Sequence, residues 1–428
     1  MESDSGLWPL NAIAITGLGI VSPIGIGPEE VWASILNGKS GVQRIQAFDA
    51  GGLPVQIAGE VRGFNATDYV RPKKSLKLMS RDAQLGVAAS IMACEMAGLP
   101  ALGLDAGRIG VIFAADRISG GLDEGIASYE VSIADGRFSM ELWASKGMSE
   151  SFPLSFLKVL PNMVACHISI ACDAQGPNNT IHHGEVSGLL ALAEAASILC
   201  RNRADFVIAG GTSARIRPYD WVGLCGTDRL STENGDPAQA CRPFDRRRTG
   251  QVIGEGAGAV VLERLSGALE RQGPILGLIL GTGCAHEPGN RSLPTGSAVI
   301  RAAHLALSRA GVSPDELAFV HAHGLGSIRE DMLEASWIHR VAPGVPVVGL
   351  KGYLGNLGAA AGVVEAAISV LGLRESTVPA TLNCCEPEGD CLVNIAKVPS
   401  AIEKSKVLII QWTHGGQAAA VVLSRWPT

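Results

Sequence analysis

Aromatic side chains are scarce in this chain of 428 residues, at 5%, and charged residues are held to 18%. The shortage of charge excludes intrinsic disorder, because a chain that is 47% hydrophobic and so weakly charged can bury a large core. The shortage of aromatics leaves that core to small aliphatic side chains, and 53 glycines add tight turns and close backbone approaches. Such an interior fits layered α/β architecture better than a β-sandwich. Positive charge is short as well: 35 Lys and Arg face 41 Asp and Glu, for a net charge of -6, so no field draws in a phosphate backbone. Nucleic acid is not expected as a partner.

No apolar run suits a membrane span. The most apolar helical stretch, Gly358 to Leu373, is too short and carries Glu365. The cluster Cys384, Cys385 and Cys391 lacks a paired CxxC spacing and a neighbouring histidine set, which argues against a metal site. The ten cysteines, scattered from Cys94 to Cys391, form no compact disulfide framework and point to a reduced, cytoplasmic setting. The start, Met1-Glu2-Ser3-Asp4-Ser5, has neither the basic nor the apolar region of a signal peptide, so export is not expected.

Apolar runs that read as buried strands alternate with helical patterns. The strands are Ala12 to Ile15, Ile109 to Ala114, Phe206 to Ala209, Ala257 to Leu262, Ile275 to Leu280, Val345 to Val348, Val407 to Ile410 and Ala418 to Leu423. Helices are expected at Pro28 to Asn37, Arg81 to Ala97, Val186 to Cys200, Ala298 to Ala310 and Gly358 to Leu371. The alternation means α/β. A weak internal echo is present: Val186 to Cys200 leads to a strand ending in Gly210-Gly211, and Ala359 to Leu371 leads to Val407 to Ile410 and then Gly415-Gly416. The expected division falls near Leu265, giving halves 1–265 and 266–428; two unrelated α/β units are the alternative.

Several separated stretches carry a resemblance. They are Ile13 to Gly25; Arg242-Pro243-Phe244-Asp245 with Arg248, Gly250 and Gly254 to Gly258; Ala322-His323-Gly324 with Asp331 and Glu334; and Lys351 to Gly362. In this order they resemble the elongating, type II β-ketoacyl-acyl carrier protein synthases of the thiolase-like superfamily. The resemblance implies a thiolase-like fold, a duplicated, layered α-β-α-β-α architecture, and a dimer. It also implies substrates held on the phosphopantetheine arm of acyl carrier protein, with no cofactor bound by the chain itself. Family chemistry uses a cysteine thiolate at a helix N-terminus, two histidines and an oxyanion hole.

The departures from the family pattern bear on function. Where typical members read Thr-Ala-Cys-x-Ser-Gly, the aligned stretch here is His182-His183-Gly184-Glu185-Val186-Ser187-Gly188, with Glu185 in the cysteine's place. A carboxylate is a weak nucleophile toward thioesters, and acyl transfer onto it gives a high-energy mixed anhydride, so ordinary condensation is not expected. Cys166 and Cys172 are expected in the strand-and-loop region before that turn, as structural residues. The first family histidine is kept as His323, and Lys351, Glu334 and Asp331 match the buried set that orients it. The second aligns with Asn356, which cannot carry a proton at neutral pH. The C-terminal Gly-Phe-Gly-Gly loop aligns with Thr413-His414-Gly415-Gly416, so a titratable ring replaces an apolar gate.

Glu185, His323, Asn356 and His414 are therefore expected to converge on one pocket, and for each a bland reading stands beside the chemical one. Glu185 could plug a dead site, His323 could be a structural histidine bonded to Glu334, and Asn356 could cap a helix before Gly358. His182 and His183 are expected to face the core or a dimer partner. Two functions follow. One is a non-condensing subunit similar to the chain-length factors of polyketide systems, paired with a cysteine-bearing ketosynthase as a heterodimer, or else a homodimer. The other is an altered enzyme on acyl- or malonyl-thioesters (decarboxylase, hydrolase or acyltransferase) using Glu185 with His323 or His414. For carrier-protein docking the resemblance points to Arg71, Lys73, Lys74 and Lys77, followed by Arg81; a merely solvated basic face is the other reading.

Overall fold

The computed structural model describes residues 12–427 apart from 228, 289–292 and 390, with the side chains of 101, 122 and 123 also left aside. The export reading of Met1 to Ser5 therefore lies outside the described residues.

The first strand, β1 (Ile13–Ser22), is buried along its whole length. Its glycines explain how a helix can lie directly on it. A Cβ at Gly17 would sit 2.0 Å from the Ala93 carbonyl oxygen, and one at Gly19 would sit 1.9 Å from that of Ala89. Both carbonyls belong to a helix made largely of small residues, so sheet and helix meet backbone to backbone. The other elements that build the main sheet and its covering layers follow in chain order: α1 (Pro28–Leu36), α2 (Arg81–Met96), β2 (Ile109–Ala115), α3 (Asn162–Cys172), β3 (Asn178–Ile181), α4 (Ser187–Cys200), β4 (Phe206–Ser213) and β5 (Gly256–Arg264). Next come β6 (Gly277–His286), α5 (Ser297–Ala310), β7 (Leu317–His321), α6 (Glu330–Val341), β8 (Pro346–Val348), α7 (Ala361–Arg374), β9 (Asn394–Ile395), β10 (Lys406–Trp412) and β11 (Gln417–Ser424).

The strands run in the order β9-β8-β7-β10-β11-β6-β1-β5-β4-β2-β3. The two sides are joined where Ile13 to Ile15 of β1 pair antiparallel with Gly277 to Ile279 of β6. Outward from that seam the pairing repeats. On one side β1–β5 and β5–β4 are antiparallel, while β4–β2 and β2–β3 are parallel. On the other, β6–β11 and β11–β10 are antiparallel, while β10–β7 and β7–β8 are parallel. Helices α4 and α7 pack against each other, and each touches strands of both sides; α2 and α3 cover one outer face, and α5 and α6 the other. This is the layered α-β-α-β-α arrangement expected from the sequence.

Three sequence expectations need correction. The glycine pairs of the internal echo are not equivalent: Gly210 and Gly211 lie inside β4, whereas Gly415 and Gly416 form the turn between β10 and β11. Cys166 and Cys172 lie on helix α3, not in a strand and loop, and Cys172 places its Sγ 3.9 Å from that of Cys94 on α2. Five of these elements, α3, β3, β7, α6 and the two-residue β9, had not been expected. Strand β3 reads Asn-Asn-Thr-Ile at a sheet edge, and α6 turns Glu330, Asp331 and Glu334 inward, so neither shows the apolar period of a buried element. No helix among the described residues is long and apolar enough to cross a membrane, and no group of three or more His, Cys, Asp or Glu residues there could hold a metal ion.

Candidate functional site

The N-terminus of α4 is preceded by a tight 3-10 turn over Gly184–Val186, entered through Gly184 at φ 63°. Ser187 accepts the His183 N–H at 2.7 Å, which ties the turn to the helix start. Glu185 thus stands at the mouth of the central layer, half-buried and with no ion pair or side-chain hydrogen bond among the described residues. It opens onto a cavity of about 350 Å³ lined by His183, Gly184, Glu185, Arg229, Gln251, His323, Leu325, Trp412, Thr413, His414, Gly415 and Gln417. Three of the four residues expected to converge, Glu185, His323 and His414, do line it. No cysteine does.

Asn356 stands behind this wall. Its side-chain oxygen accepts the Gly358 N–H at 3.0 Å, capping the turn that leads into α7, and its amide donates to the Gln251 Oε1 at 2.8 Å. The capping reading therefore describes its contacts, and Gln251 is the side chain that faces the cavity in its stead.

His323 follows β7 and is 1% exposed. Its ring is not held by Glu334. That carboxyl accepts the backbone N–H groups of His323, at 2.7 Å, and Gly324, at 2.8 Å. Asp331 likewise accepts from Phe244, Gly326 and Ser327. The two carboxyls of α6 thus hold the loop, not the imidazole, whose Nδ1 has no partner among the described residues. The ring packs edge-on against Trp412, with centroids 5.8 Å apart. Burial above all, and then the charge of Lys351, pushes its pKa well below the usual histidine value, so it is neutral at neutral pH. Burial also raises both carboxyls, Asp331 to about 6 and Glu334 to about 8, against the pull of the N–H donors.

Lys351 does not join Glu334 or Asp331. Its ammonium pairs with Glu365 of α7, whose other oxygen accepts from Gln411 of β10. His321 comes within 3.7 Å of the same carboxylate and bonds Ser369 through Nδ1 at 2.9 Å. Burial and Lys351 hold that imidazole down at about 3, so its approach to Glu365 is not an ion pair. This buried network lies behind the site, and Glu365 entered the sequence reading only as a charge that interrupts an apolar stretch.

The turn between β10 and β11 closes the other side. Thr413 N–H donates to Gln417 O at 2.9 Å, Gly416 N–H donates to Thr413 O at 3.0 Å, and Gly416 takes φ 83°. Gly415 lines the cavity; Gly416 instead accepts the Glu287 N–H at 2.9 Å. His414 is hydrogen-bonded through Nε2 to Glu330, the first residue of α6, which is 7% exposed. Burial pushes the Glu330 carboxyl up, but the bond to His414 and the charges of His414 and Arg229 outweigh it and leave its pKa below the ordinary value. No spacing in the sequence links positions 330 and 414, so this pair was missed. His183 bonds Gln417 at 3.0 Å, and His182 bonds the Ala115 carbonyl at 2.8 Å. His183 therefore faces this cavity, not the core.

Arg71, Lys73, Lys74 and Lys77 lie together on an exposed stretch before α2, and none of them lines the cavity. Arg81, by contrast, is tied up by Glu255 at 2.6 Å.

Comparison with known proteins agrees with this geometry. Residues 10–268 match the model of the beta-ketoacyl synthase N-terminal domain, and residues 276–385 match that of the C-terminal domain. The chain is 32% identical over 422 residues to the 3-oxoacyl-[acyl-carrier-protein] synthase 2 of Coxiella burnetii, covering 96% of this chain and 98% of that protein. It is 31% identical to the same-named protein of Vibrio cholerae, covering 96% and 99%. Among solved structures, a beta-ketoacyl synthase from Burkholderia phymatum superposes with a TM-score of 0.86 at 27% identity, over 97% of this chain and 100% of that one. The ishigamide ketosynthase/chain length factor gives 0.85 at 26%, over 97% and 99%. With both domain models matched in order along one duplicated fold, the chain belongs to the beta-ketoacyl synthase family.

Proposed function

We propose that this chain handles carrier-protein-bound acyl chains without condensing them, as a partner subunit similar to a chain-length factor that pairs with a cysteine-bearing ketosynthase. The observation that carries the reading is the wall of the cavity: a carboxylate, Glu185, sits at the start of α4, and no thiol lines the space around it. Glu185 stands there in place of the family's nucleophilic cysteine. Without a thiolate no acyl-enzyme thioester forms, and a carboxylate in that seat leads only to an uphill anhydride. Asn356, in place of the second histidine, is engaged by its cap and by Gln251 and cannot shuttle a proton.

The similarity to a ketosynthase/chain length factor structure supports the pairing. A further neighbour, described as a type II polyketide acyl-carrier protein in complex with its ketosynthase bound to the hexaketide, superposes with a TM-score of 0.80 at 25% identity and supports a carrier protein as the delivering partner. The exposed cluster Arg71, Lys73, Lys74 and Lys77 is the proposed docking surface for acidic carrier helices. The halves 1–265 and 266–428 are proposed as the two units of the duplication, and the cytoplasm as the compartment.

The test is co-expression with a cysteine-bearing ketosynthase, followed by copurification and mass spectrometry of the products. A stable one-to-one complex whose product length changes with this subunit supports the reading. A chain that stays apart and forms a β-ketoacyl product alone refutes it.

A further inference from the structure

The His414–Glu330 pair is unexplained by a passive subunit. A wall needs no titratable ring, and a ring needs no buried carboxylate to hold it. The bond joins the β10–β11 turn to the first residue of α6, and at that helix start the free N–H groups and the dipole favour the carboxylate form of Glu330. A carboxylate can only accept, so the bonded Nε2 carries the hydrogen, and the lone pair of neutral His414 is on Nδ1. A base whose tautomer and orientation are fixed by a buried carboxylate is the arrangement that activates a nucleophile.

Among the described residues no hydroxyl or thiol nucleophile is bonded to His414. Thr413 is its chain neighbour on the same turn, and the cysteines lie elsewhere. Water is the remaining nucleophile, and the site cavity of about 350 Å³ has room for it; Arg229, on its wall, also lines a second cavity of about 570 Å³ with Thr249, Arg329 and Glu330 among others. Glu330 from α6 is bonded to His414, and the charged and titratable groups that line the cavity with it are Glu185 and His183 from the turn before α4, His323 after β7, and Arg229 after β4.

We propose that the chain hydrolyses acyl thioesters of pantetheine, with His414 as general base and Glu330 as the positioning residue that holds it. The oxygen of a water attacks the thioester carbonyl carbon while its proton passes to Nδ1 of His414. The C–S bond then breaks, and the departing sulfur takes that proton. The products are a carboxylic acid and a free thiol, with no change of oxidation state. In a pair with a condensing subunit this activity would clear chains that cannot be extended. It is independent of the pairing itself, so a chain that pairs but does not hydrolyse sinks this proposal and leaves the previous one standing.

The experiment uses the full-length chain and an octanoyl-pantetheine thioester, and follows thiol release with a chromogenic reagent from pH 5 to pH 9. The wild type is expected to release thiol faster than buffer, with the rate rising as pH rises. His414→Gln keeps a side chain that can bond Glu330 but loses the base, and its rate should fall on the order of 10²-fold or more. Glu330→Gln should lose a comparable factor in kcat with little change in KM, because the ring is no longer held by a carboxylate. Glu330→Asp should recover part of the rate. Cys172→Ser should match the wild type. The proposal is overturned if the folded wild type releases no thiol above buffer, or if His414→Gln is as fast as the wild type, which would mark a contaminating esterase. A Glu330→Asp variant that folds but recovers none of the rate lost in Glu330→Gln, or a Glu330→Gln loss that falls on KM alone, would reduce Glu330 to a structural role and overturn its assignment.

Discussion

Removing the ammonium of Lys351 tests the buried network behind the site. Lys351 and Glu365 are each 1% exposed, and they pair directly, with Gln411 completing the carboxylate's bonds. Met in place of Lys351 fills much the same volume but leaves Glu365 ionised in the interior without its counter-charge. Breaking such a buried pair from one side costs about 3–5 kcal/mol. Burial already pushes the Glu365 pKa up, and Lys351 is the main group pulling it back. In Lys351→Met the folded-state pKa therefore rises further above the unfolded value. A carboxyl whose folded pKa is raised contributes stability that is present at low pH and lost as pH rises. The loss should thus be largest near pH 8 and shrink toward pH 5, where Glu365 takes up a proton. Adding Glu365→Gln to Lys351→Met removes the stranded charge and should bring the cost down to about 1–2 kcal/mol, the scale of imperfectly satisfied neutral hydrogen bonds. Urea unfolding at fixed protein concentration measures both variants, with the midpoint read against an unchanged slope. A Lys351→Met loss under about 1 kcal/mol at pH 8, or one that does not vary with pH, would refute the reasoning.

Three other outcomes are expected. Glu334, raised to about 8 by burial, gives the wild type a stability that declines as pH rises from the unfolded carboxylate range toward pH 8. Melting curves of Glu334→Gln should be lower but should lack that decline, and an equal slope in both proteins would exclude Glu334 as its source. Gly19→Val drives a side chain into the Ala89 carbonyl, 1.9 Å from the Cβ position, and should leave the protein in inclusion bodies or cost more than about 4 kcal/mol, against less than about 1 kcal/mol for a valine at exposed Gly52. Recovery of folded Gly19→Val with a wild-type melting curve would show that α2 does not lie on β1 as described. Charge reversal at Lys73 and Lys74 should weaken carrier-protein binding at low salt and matter little at high salt; equal binding at both salt concentrations would place the docking surface elsewhere.

Much of the fold was legible because strands buried on both faces read as short apolar runs, and helices packed between sheets read as small-residue stretches. Both patterns survive in β1, β4, β5 and α7. Two of the elements missed, α6 and β3, are ones where polar residues do structural work. Helix α6 points Glu330, Asp331 and Glu334 inward to hold loop N–H groups and an imidazole, which erases its apolar period. Strand β3 lies at the sheet edge and has polar side chains. Motif order placed Glu185, His323 and His414 around one cavity, because each sits at a turn whose glycines and neighbours mark it. Partners set by tertiary contact were not legible. Lys351 reaches Glu365 rather than Glu334, Asn356 turns to its own cap and to Gln251, and the bond between His414 and Glu330 joins a turn and a helix start 84 residues apart, with no motif residue at position 330. Sequence spacing orders such residues along the chain; only the packing of α6 and α7 decides which of them touch.

The central claim is that no thiol of this chain carries an acyl group toward condensation. The most direct measurement incubates the purified chain with acyl- and malonyl-carrier protein, quenches in acid, and weighs the intact protein and its peptides alongside the carrier. The account predicts an unmodified chain mass and no β-ketoacyl-carrier product. An acyl adduct on any cysteine peptide, accompanied by a β-ketoacyl product formed without a second ketosynthase, would contradict it.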